Sequence, residues 1–438
     1  MTQDDARTYV LTEARRRGIA AEIVAETGRE LTARAHSHRI EQLTQAVRGG
    51  VGVRVIVGGR VGYGYTEELS REALDWMLQE AVENAGLQSE TTGFLPTGTA
   101  TPRAEMVGDR LQASLETKLQ TALGFEGTLR EDKRVKQVLI AAYAEREWDV
   151  AVASTEGADG SYRRGVAGLM ASMVMQDGTS LKQGWDDIWA TGVKDLDPGR
   201  TALEFTERTG RLLNARRLAT GRYRAYFEPK AFAALLAAFT PMWNGKTVAE
   251  KKSPLAGRLG EAIAPPLVTI VDDPTLPDGL ASRPVDAEGT PAKRTVLVDG
   301  GVLRSYLTNS ETAKQLGVEN TGHAWRGYRG TLGAGPSNIF LAPGPGLDLQ
   351  AGVVIAELSG LHAGTNAITG EFSIQALGLW IEEGAVAYPV EDFAVAGNFL
   401  TLLQNITAVG DRLEWDFGMR VAYGTPMVEV RELSFAGA

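Results

Sequence analysis

The residues best suited to chemistry lie in one glycine-rich segment of the C-terminal half, between two apolar runs. This segment places small and polar residues at short spacing, namely His362, Gly364, Thr365, Asn366, Gly370 and Ser373. Glycine permits left-handed turns and close approach of a second backbone or a ligand. Because hydroxyl and amide groups on such a loop can bind an extended peptide, we predict a substrate-binding loop. A structural crossover between two strands is the alternative interpretation.

A second polar segment, SRPVDAEGT, places Asp286 and Glu288 two residues apart. Their carboxylates are candidate substrate-binding groups, as anchors for the amine or a basic side chain of a peptide. The same residues are equally typical of an Asx turn, in which the aspartate side chain binds nearby backbone N–H groups. The sequence leaves both interpretations open.

Metal ligation would need histidine, cysteine or carboxylate side chains at suitable spacing. The chain has four histidines and no cysteine, which excludes thiolate ligands, disulfides and cysteine nucleophiles. His36 and His38 are two residues apart on a predicted strand, where we expect a solvated face. His323 and His362 could meet carboxylates in space, but no spacing in the sequence indicates this. We therefore predict no metal and no other cofactor.

The glycine-rich loop must be held by the strand-like runs Val353–Leu358 and Ile374–Ile381. Alternating apolar residues and turn signals predict several hairpins along the chain, with helices between them. We predict an α+β fold with a mixed α/β N-terminal domain at residues 1–220 and a β-rich C-terminal domain at residues 221–438. A helix capped by Asp197 is expected to run to about residue 219, just before the boundary.

The overall composition limits the possible partners. The chain has 438 residues, 43% of them hydrophobic, with a formal net charge of −10 and a pI near 5.2. This balance lacks the basic footprint that nucleic-acid binding needs. No apolar run approaches the ~20 residues of a membrane span, and the N-terminus shows no signal-peptide pattern. We expect a cytoplasmic protein without nucleic-acid or membrane partners.

Three strings of residues match a known pattern. They are G-L-H-A-G-T-N-x-x-T-G-E-F-S in the glycine-rich loop, S-x-P-V-D-A-E-G-T around Asp286, and T-V-L-V-D-G-G-V-L-R-S-Y-L from Thr295 onwards. These strings resemble the TldD/PmbA (TldE) family, and the resemblance extends over nearly the whole chain. It implies a two-part metallopeptidase in which an active TldD subunit pairs with a metal-free TldE/PmbA subunit around a peptide-accepting cavity.

In the TldD subunit, an H-E-x-x-x-H helix and a later cysteine bind the metal. The equivalent place in this chain has the spacing F-E-x-x-x-F, with Phe227, Glu228 and Phe232. Phenylalanine cannot coordinate a metal, and no cysteine is present. The resemblance therefore makes these three residues vestigial metal-site positions and the chain a TldE/PmbA-type subunit without catalytic residues. We expect the segment to run from a strand into a helix, with both phenyl rings facing one cavity.

The resemblance implies a function in cytoplasmic proteolysis, in which this subunit helps to bind and present small or unfolded peptides. The partner would be a TldD-type metallopeptidase subunit in a heterodimer, or a second copy in a homodimer. We expect the cavity and the interface to form mostly around His362–Ser373. The older family label, modulator of DNA gyrase, does not imply DNA binding. The alternatives are a stand-alone homodimer that binds a peptide or small ligand, and a hydrolase that uses carboxylates alone.

Overall fold

A computed structural model of the chain describes residues 1–89, 92–418 and 420–437. Helices and strands are mixed along the chain, which confirms the predicted α+β fold. The α-helices of the described residues are α1 (Gln3–Arg16), α2 (Arg71–Gly86), α3 (Leu115–Glu131), α4 (Pro198–Gly210), α5 (Pro229–Phe239), α6 (Gly245–Ala249), α7 (Ser310–Leu316), α8 (Leu361–Gly364) and α9 (Phe399–Gln404). Two short 3₁₀ helices cover Val193–Asp195 and Thr240–Trp243.

The first half of the chain builds one seven-stranded sheet, in the order β3-β2-β1-β5-β6-β4 with β7 also beside β6. Its long neighbouring strands β1, β2, β5 and β6 pair antiparallel. The strands are β1 (Ala20–His36), β2 (Arg39–Val57), β3 (Arg60–Thr66), β4 (Ala104–Glu105), β5 (Val135–Ser154), β6 (Asp159–Asp177) and β7 (Ser180–Ala190).

The two faces of this sheet have different neighbours because side chains alternate along each strand. Ile23 and Ala25 point to a core with α1 and α2. Val24 and Trp148 point to a second core that also contains Leu280 from the second half. The first sheet therefore packs directly against the second half of the chain.

In the part of the second half that the structure describes, the strands form three further sheets. In the largest, β22 pairs with both β9 and β18, so that β22, β9, β16, β17 and β18 form a closed ring of neighbours. The strands are β8 (Arg216–Arg217), β9 (Gly221–Phe227), β10 (Ile270–Asp272), β11 (Thr295–Asp299), β12 (Val302–Leu303), β13 (Ala324–Trp325), β14 (Gly333–Ala334), β15 (Asn338–Leu341), β16 (Gly352–Ser359), β17 (Glu371–Glu382), β18 (Ala385–Asn398), β19 (Ile406–Val409), β20 (Glu414–Gly418), β21 (Val421–Thr425) and β22 (Val428–Ala436).

The predicted helix after Asp197 is present but shorter than expected. Asp197 caps α4 and Pro198 takes its first position, yet the helix ends at Gly210 instead of near residue 219. A tight turn follows, and Asn214 adopts a left-handed backbone with φ +60°, which asparagine tolerates better than most residues. β8 then pairs with β18 of the second half. The division of the chain at residue 220 stays a prediction.

Candidate functional site

The segment from Phe227 to Phe232 lies where β9 ends and α5 begins, as the sequence predicts. Glu228 has an extended backbone and occupies the N-cap position of α5, and Pro229 takes the first helical position. Proline is tolerated there because the N–H that it lacks would have no helical partner. Glu228 and Lys230, the polar residues of the segment, are partly exposed at the N-terminal end of α5.

The two phenyl rings of this segment lie in the hydrophobic core. Phe227 and Phe232 are both 0% exposed and meet edge to face, with 5.7 Å between ring centroids. Phe227 sits in a central strand, opposite Ile355 of β16 and Val428 of β22. The expectation that both rings face one cavity is therefore wrong, because the alternation along β9 and the first turn of α5 direct both rings inward.

A cavity of about 700 Å³, here called the central cavity, opens beside this segment. It lies between β7 and α4 of the first half and β16 and α5 of the second half. Its volume is in the range of ordinary ligand pockets. Its lining comprises Gln183, Gly184, Trp185, Asp186, Arg208, Thr209, Arg211, Glu228, Pro229, Lys230, Ala231, Ala234, Ala356, Glu357, Leu358, Ser359, Glu414 and Met427.

Ion pairs hold several charged groups of the central cavity. Arg211 Nη2 donates to Glu228 Oε2 at 2.5 Å. Lys230 Nζ donates to Asp186, which also accepts a bond from Arg208 Nη1 at 3.1 Å. The guanidinium group of Arg211 thus neutralises Glu228. A general base that activates a metal-bound water would instead face that water.

Glu357 differs from the other carboxylates of the central cavity. Among the described residues, no side chain forms an ion pair or hydrogen bond with it. Burial raises its pKa above the ordinary value and the charge of Asp186 raises it further, whereas Arg211 and Lys182 oppose the shift. A β-bulge between Ile355 and Glu357 breaks the alternation of β16. Glu357 could not be predicted from the sequence, because a bulge leaves no local signal.

β7 supplies an open strand edge beside the central cavity. It pairs with β6 on one side, and within the described part of the chain no strand pairs with its other side. The stretch Gln183–Asp186 lines the cavity, and the ring of Trp185 is 57% exposed. An open edge of this kind can take up an extended peptide through backbone hydrogen bonds.

The glycine-rich loop is a compact turn whose polar groups bind one another. The side-chain oxygen of Asn366 accepts the backbone N–H of Ile368 at 2.9 Å. Thr365 Oγ1 donates to the carbonyl of Leu361 at 2.8 Å. Gly370 has φ +83°, a conformation that suits glycine. The loop therefore has a fixed shape set by its own hydrogen bonds.

The loop lies apart from the central cavity. His362, Asn366 and Ser373 are exposed, and Gly370 is buried. None of the six predicted loop residues lines the central cavity in the part of the chain that is described; Ser359, where β16 ends, does. The expectation that a cavity between two subunits forms around this loop stays a prediction. The role of the loop as a peptide-binding surface also stays a prediction.

Asp286 lies in an Asx turn, one of the two interpretations that the sequence left open. Asp286 is 2% exposed, and its Oδ1 accepts the backbone N–H groups of Glu288 and Thr290, each at 2.9 Å. Its Oδ2 accepts the N–H of Ala324 at 3.0 Å. Burial raises the pKa of Asp286 to about 7, with a further contribution from Glu288. The carboxylate therefore anchors the turn from the inside of the protein.

Glu288 is equally inaccessible to a peptide. It is 1% exposed and accepts the backbone N–H of Ser310 at 2.8 Å, at the start of α7. It also accepts a bond from Arg54 at 3.0 Å. The structure thus corrects the prediction that Asp286 and Glu288 lie where a peptide could reach them.

Within the described residues, no three histidine, cysteine, aspartate or glutamate side chains meet in a way that could hold a metal ion. His323 is 0% exposed and its Nε2 lies 2.9 Å from Asp272, while His362 is exposed on α8. His38 lies at the turn between β1 and β2, and its backbone N–H donates to Glu126. His36 ends β1, and His38 lies in the turn with φ +58° instead of on the predicted strand. This pair is separate from His323 and from His362.

Comparison with known proteins places the chain in a family. Three models match it, described as the PmbA/TldA metallopeptidase domain 1 at residues 21–85, the central domain at residues 109–213 and the C-terminal domain at residues 220–437. The chain therefore belongs to the PmbA/TldD metallopeptidase family, as the sequence motifs predict.

Individual relatives agree over almost the full length. A metalloprotease from Methanothermobacter thermautotrophicus is 28% identical over 95% of each chain. Metalloprotease PmbA from Escherichia coli O157:H7 is 25% identical over 94% of this chain and 92% of its own. A candidate modulator of a DNA gyrase from Thermotoga maritima has a TM-score of 0.89 at 29% identity, covering 99% of this chain and 100% of that one.

TldE from Thermococcus kodakarensis has a TM-score of 0.88 at 22% identity, covering 99% of this chain and 100% of that one, and shares the fold. None of the helices in the described residues combines the length and apolar character that crossing a bilayer requires.

Proposed function

We propose that this chain is the non-catalytic, TldE/PmbA-type subunit of a cytoplasmic TldD/TldE-type metalloprotease, and that it binds small or unfolded peptides for proteolysis. The observation that carries the proposal is the burial of the two phenyl rings in the Phe227–Phe232 segment, together with the ion pair of Glu228. The rings of Phe227 and Phe232 are fully buried, and the resemblance to the TldD subunit makes them the positions where a metal site would need imidazoles. Glu228 is paired with Arg211 instead of facing a metal-bound water.

The central cavity is the proposed peptide site. An extended peptide can add to the open edge of β7, with alternate side chains directed into the cavity and towards Trp185. Glu357 supplies an unpaired carboxylate for a peptide amine or a basic side chain. Lys230 and Arg211 lie in the same wall and can bind carbonyl or carboxylate oxygens if their present ion pairs open. Backbone pairing would make the binding tolerant of sequence, as unfolded substrates require.

Hydrolysis then depends on a partner that carries the metal. The relatives named PmbA and TldE support a TldD-type subunit as this partner, and a second copy of the chain is the alternative. Coexpression of the chain with a TldD-type subunit, followed by size-exclusion chromatography with light scattering, is the test. We expect a stable heterodimer that cleaves an unstructured peptide, whereas the purified chain alone binds the peptide without cleaving it.

Two results would count against this proposal. A chain that forms only homodimers and binds peptide would support the stand-alone binding protein instead. Cleavage by the purified chain in the presence of a chelator would support a hydrolase that uses carboxylates alone.

Filling the central cavity is expected to abolish peptide binding. Ala234 lines the cavity from α5, so Ala234→Trp places an indole in the proposed path of the peptide. We expect at least a tenfold loss of affinity for a fluorescein-labelled unstructured peptide, measured by fluorescence anisotropy. Ala387→Trp, on an exposed position of β18, is the matched control and should bind as the wild type does. Equal binding by both variants would place the peptide elsewhere.

Valine in the glycine-rich loop tests the predicted role of that loop. A Cβ at Gly364 would lie 2.4 Å from the carbonyl oxygen of Ser373, and at Gly370 it would meet Asn398 at 2.8 Å with φ +83°. Both contacts are too close for the loop to keep its shape. We expect Gly364→Val and Gly370→Val to lose dimerisation or peptide binding while the first half stays folded.

The control for these variants is Gly124→Val, since Gly124 of α3 has open space around its Cβ position. Light scattering and anisotropy measure dimerisation and binding, and circular dichroism measures folding. Loop variants that dimerise and bind normally would show that the loop is only a connector.

A further inference from the structure

A small second cavity lies between the first sheet and the second half. Within the described residues, it shares no lining residue with the central cavity. It has a volume of about 40 Å³, room for a group of a few non-hydrogen atoms. Four arginines line it, and we call it the arginine pocket: Arg164, Arg283, Arg326 and Arg420. Aromatic rings form part of its wall, and one of them, Trp325, is 44% exposed at the rim.

Two of the four arginines have carboxylate partners. Arg420 forms an ion pair with Glu26, and Arg326 Nη2 lies 3.0 Å from Glu22 Oε1. These pairs neutralise their own charges within the protein. The positive charge of the pocket therefore rests on Arg164 and Arg283.

Arg164 is buried without an anionic partner. It is 9% exposed, and its guanidinium donates to the backbone carbonyls of Leu280 at 3.0 Å and Arg420 at 3.4 Å. It lies over the ring of Trp148 at 4.7 Å. Burial lowers the pKa of Arg164 to about 10, and the nearby charges of Arg420 and Arg283 also lower it. In the described residues, no carboxylate forms an ion pair with it.

Arg283 is the least satisfied group in the pocket. It is 9% exposed, and its Nε and Nη2 are buried without a hydrogen-bond partner among the described residues. Asp286 lines the same pocket, where burial raises its pKa and the charge of Arg283 opposes that rise. Both of its oxygens already accept backbone N–H groups, however, and no ion pair with Arg283 forms in the described residues. A buried guanidinium group whose donors lack an acceptor is costly to the folded state.

We propose that the arginine pocket binds a small oxyanion, such as phosphate or acetate, through the free donors of Arg283 and the charge of Arg164. The planar fork of a guanidinium group matches the paired oxygens of carboxylates and phosphates. The volume fits the anionic group itself. The bound anion would bridge the two halves, because Arg164 belongs to β6 and Arg283 to the segment before Asp286. This site is separate from the central cavity and does not depend on the proposed peptide binding.

Thermal unfolding and calorimetry of the full chain test this proposal. Sodium phosphate, sodium acetate and sodium chloride are compared at equal ionic strength. We expect a saturable rise in Tm and a calorimetric binding signal with phosphate or acetate, relative to chloride. A wild-type chain whose Tm and calorimetric signal are the same in all three salts would overturn the proposal.

Arg283→Met removes the free donors and keeps most of the apolar stem, so binding should weaken at least tenfold. Arg222→Met is the matched control, because Arg222 is paired with Glu432 on the surface with 71% of its side chain exposed. This control should keep the wild-type affinity. Anion binding of equal strength in Arg283→Met would also overturn the proposal.

The Arg283 variant could fail to fold, and a second measurement keeps the test decisive. The Nε–H signals of the wild-type arginines are followed by NMR during a phosphate titration, after assignment of the Arg283 signal through the more conservative Arg283→Lys variant. We expect the Arg283 Nε–H signal to move with the same affinity that calorimetry gives. A signal that stays fixed at saturating phosphate would exclude Arg283 as a ligand.

Discussion

Replacing both Phe227 and Phe232 with histidine is expected to destabilise the chain without creating a peptidase. Both rings are fully buried and contact each other edge to face. Each lost ring removes about 1.5–3 kcal/mol of burial free energy, and each imidazole buries polar nitrogens without a partner. We therefore expect the free energy of unfolding to fall by at least about 3 kcal/mol, measured by urea unfolding.

The double variant should also bind zinc weakly. Two imidazoles at these positions would point into the core, whereas Glu228 lines the central cavity, and the chain has no cysteine to act as third ligand. Zinc sites in proteins normally use three or four protein ligands. Elemental analysis of the wild type, purified without added zinc, should give no stoichiometric metal, and the double variant should cleave no peptide.

The matched control is the double variant Phe227→Leu and Phe232→Leu, which keeps the core apolar. Its free energy of unfolding should be closer to that of the wild type. Zinc-dependent cleavage by the histidine variant, lost on adding Glu228→Gln, would show that the site is nearly intact. About one zinc per wild-type chain, held at His323 or His362, would likewise contradict the non-catalytic assignment.

Arg54→Met is expected to be among the most destabilising single substitutions in the chain. Arg54 Nη2 donates to Glu22 at 2.7 Å and to Glu288 at 3.0 Å, and all three side chains are at most 3% exposed. Burial alone would lower the pKa of Arg54, but the two carboxylates outweigh it and raise that pKa. Removing the arginine leaves two buried carboxylates, and among the described residues only Glu22 of the two retains an arginine partner, Arg326.

We expect this substitution to lower the free energy of unfolding by about 3–5 kcal/mol, the usual cost of breaking a buried ion pair. Arg16→Met is the control, because Arg16 pairs with Glu13 with 67% of its side chain exposed, and such surface pairs contribute about 0–1 kcal/mol. Urea unfolding of both variants is the measurement. Equal stability of the two variants would show that the buried pair is not a net stabiliser of the contact between the halves.

Local chemistry made several features predictable from the sequence. The N-cap at Asp197 and the proline that follows it identified the start of α4, and the spacing of Phe227, Glu228 and Phe232 identified a segment that runs from strand to helix. Capping bonds and alternation join neighbours in the chain, so a short stretch of sequence contains all the groups involved. The motifs around Asp286 and His362 identified the family, because each is a short string of residues that can be compared without a structure.

The candidate site was decided by the tertiary structure. The walls of the central cavity come from β7, α4, α5 and β16, and the bulge that accompanies Glu357 depends on its pairing with β17. The direction of the two phenyl rings depends on which face of β9 meets the core. Arg54 and Glu288 are separated by 234 positions in the chain. Local patterns were thus enough to predict the family and most of the elements named above. Burial, ion pairing and cavity shape depend on distances between strands that are far apart in the chain, and no local pattern encodes those distances.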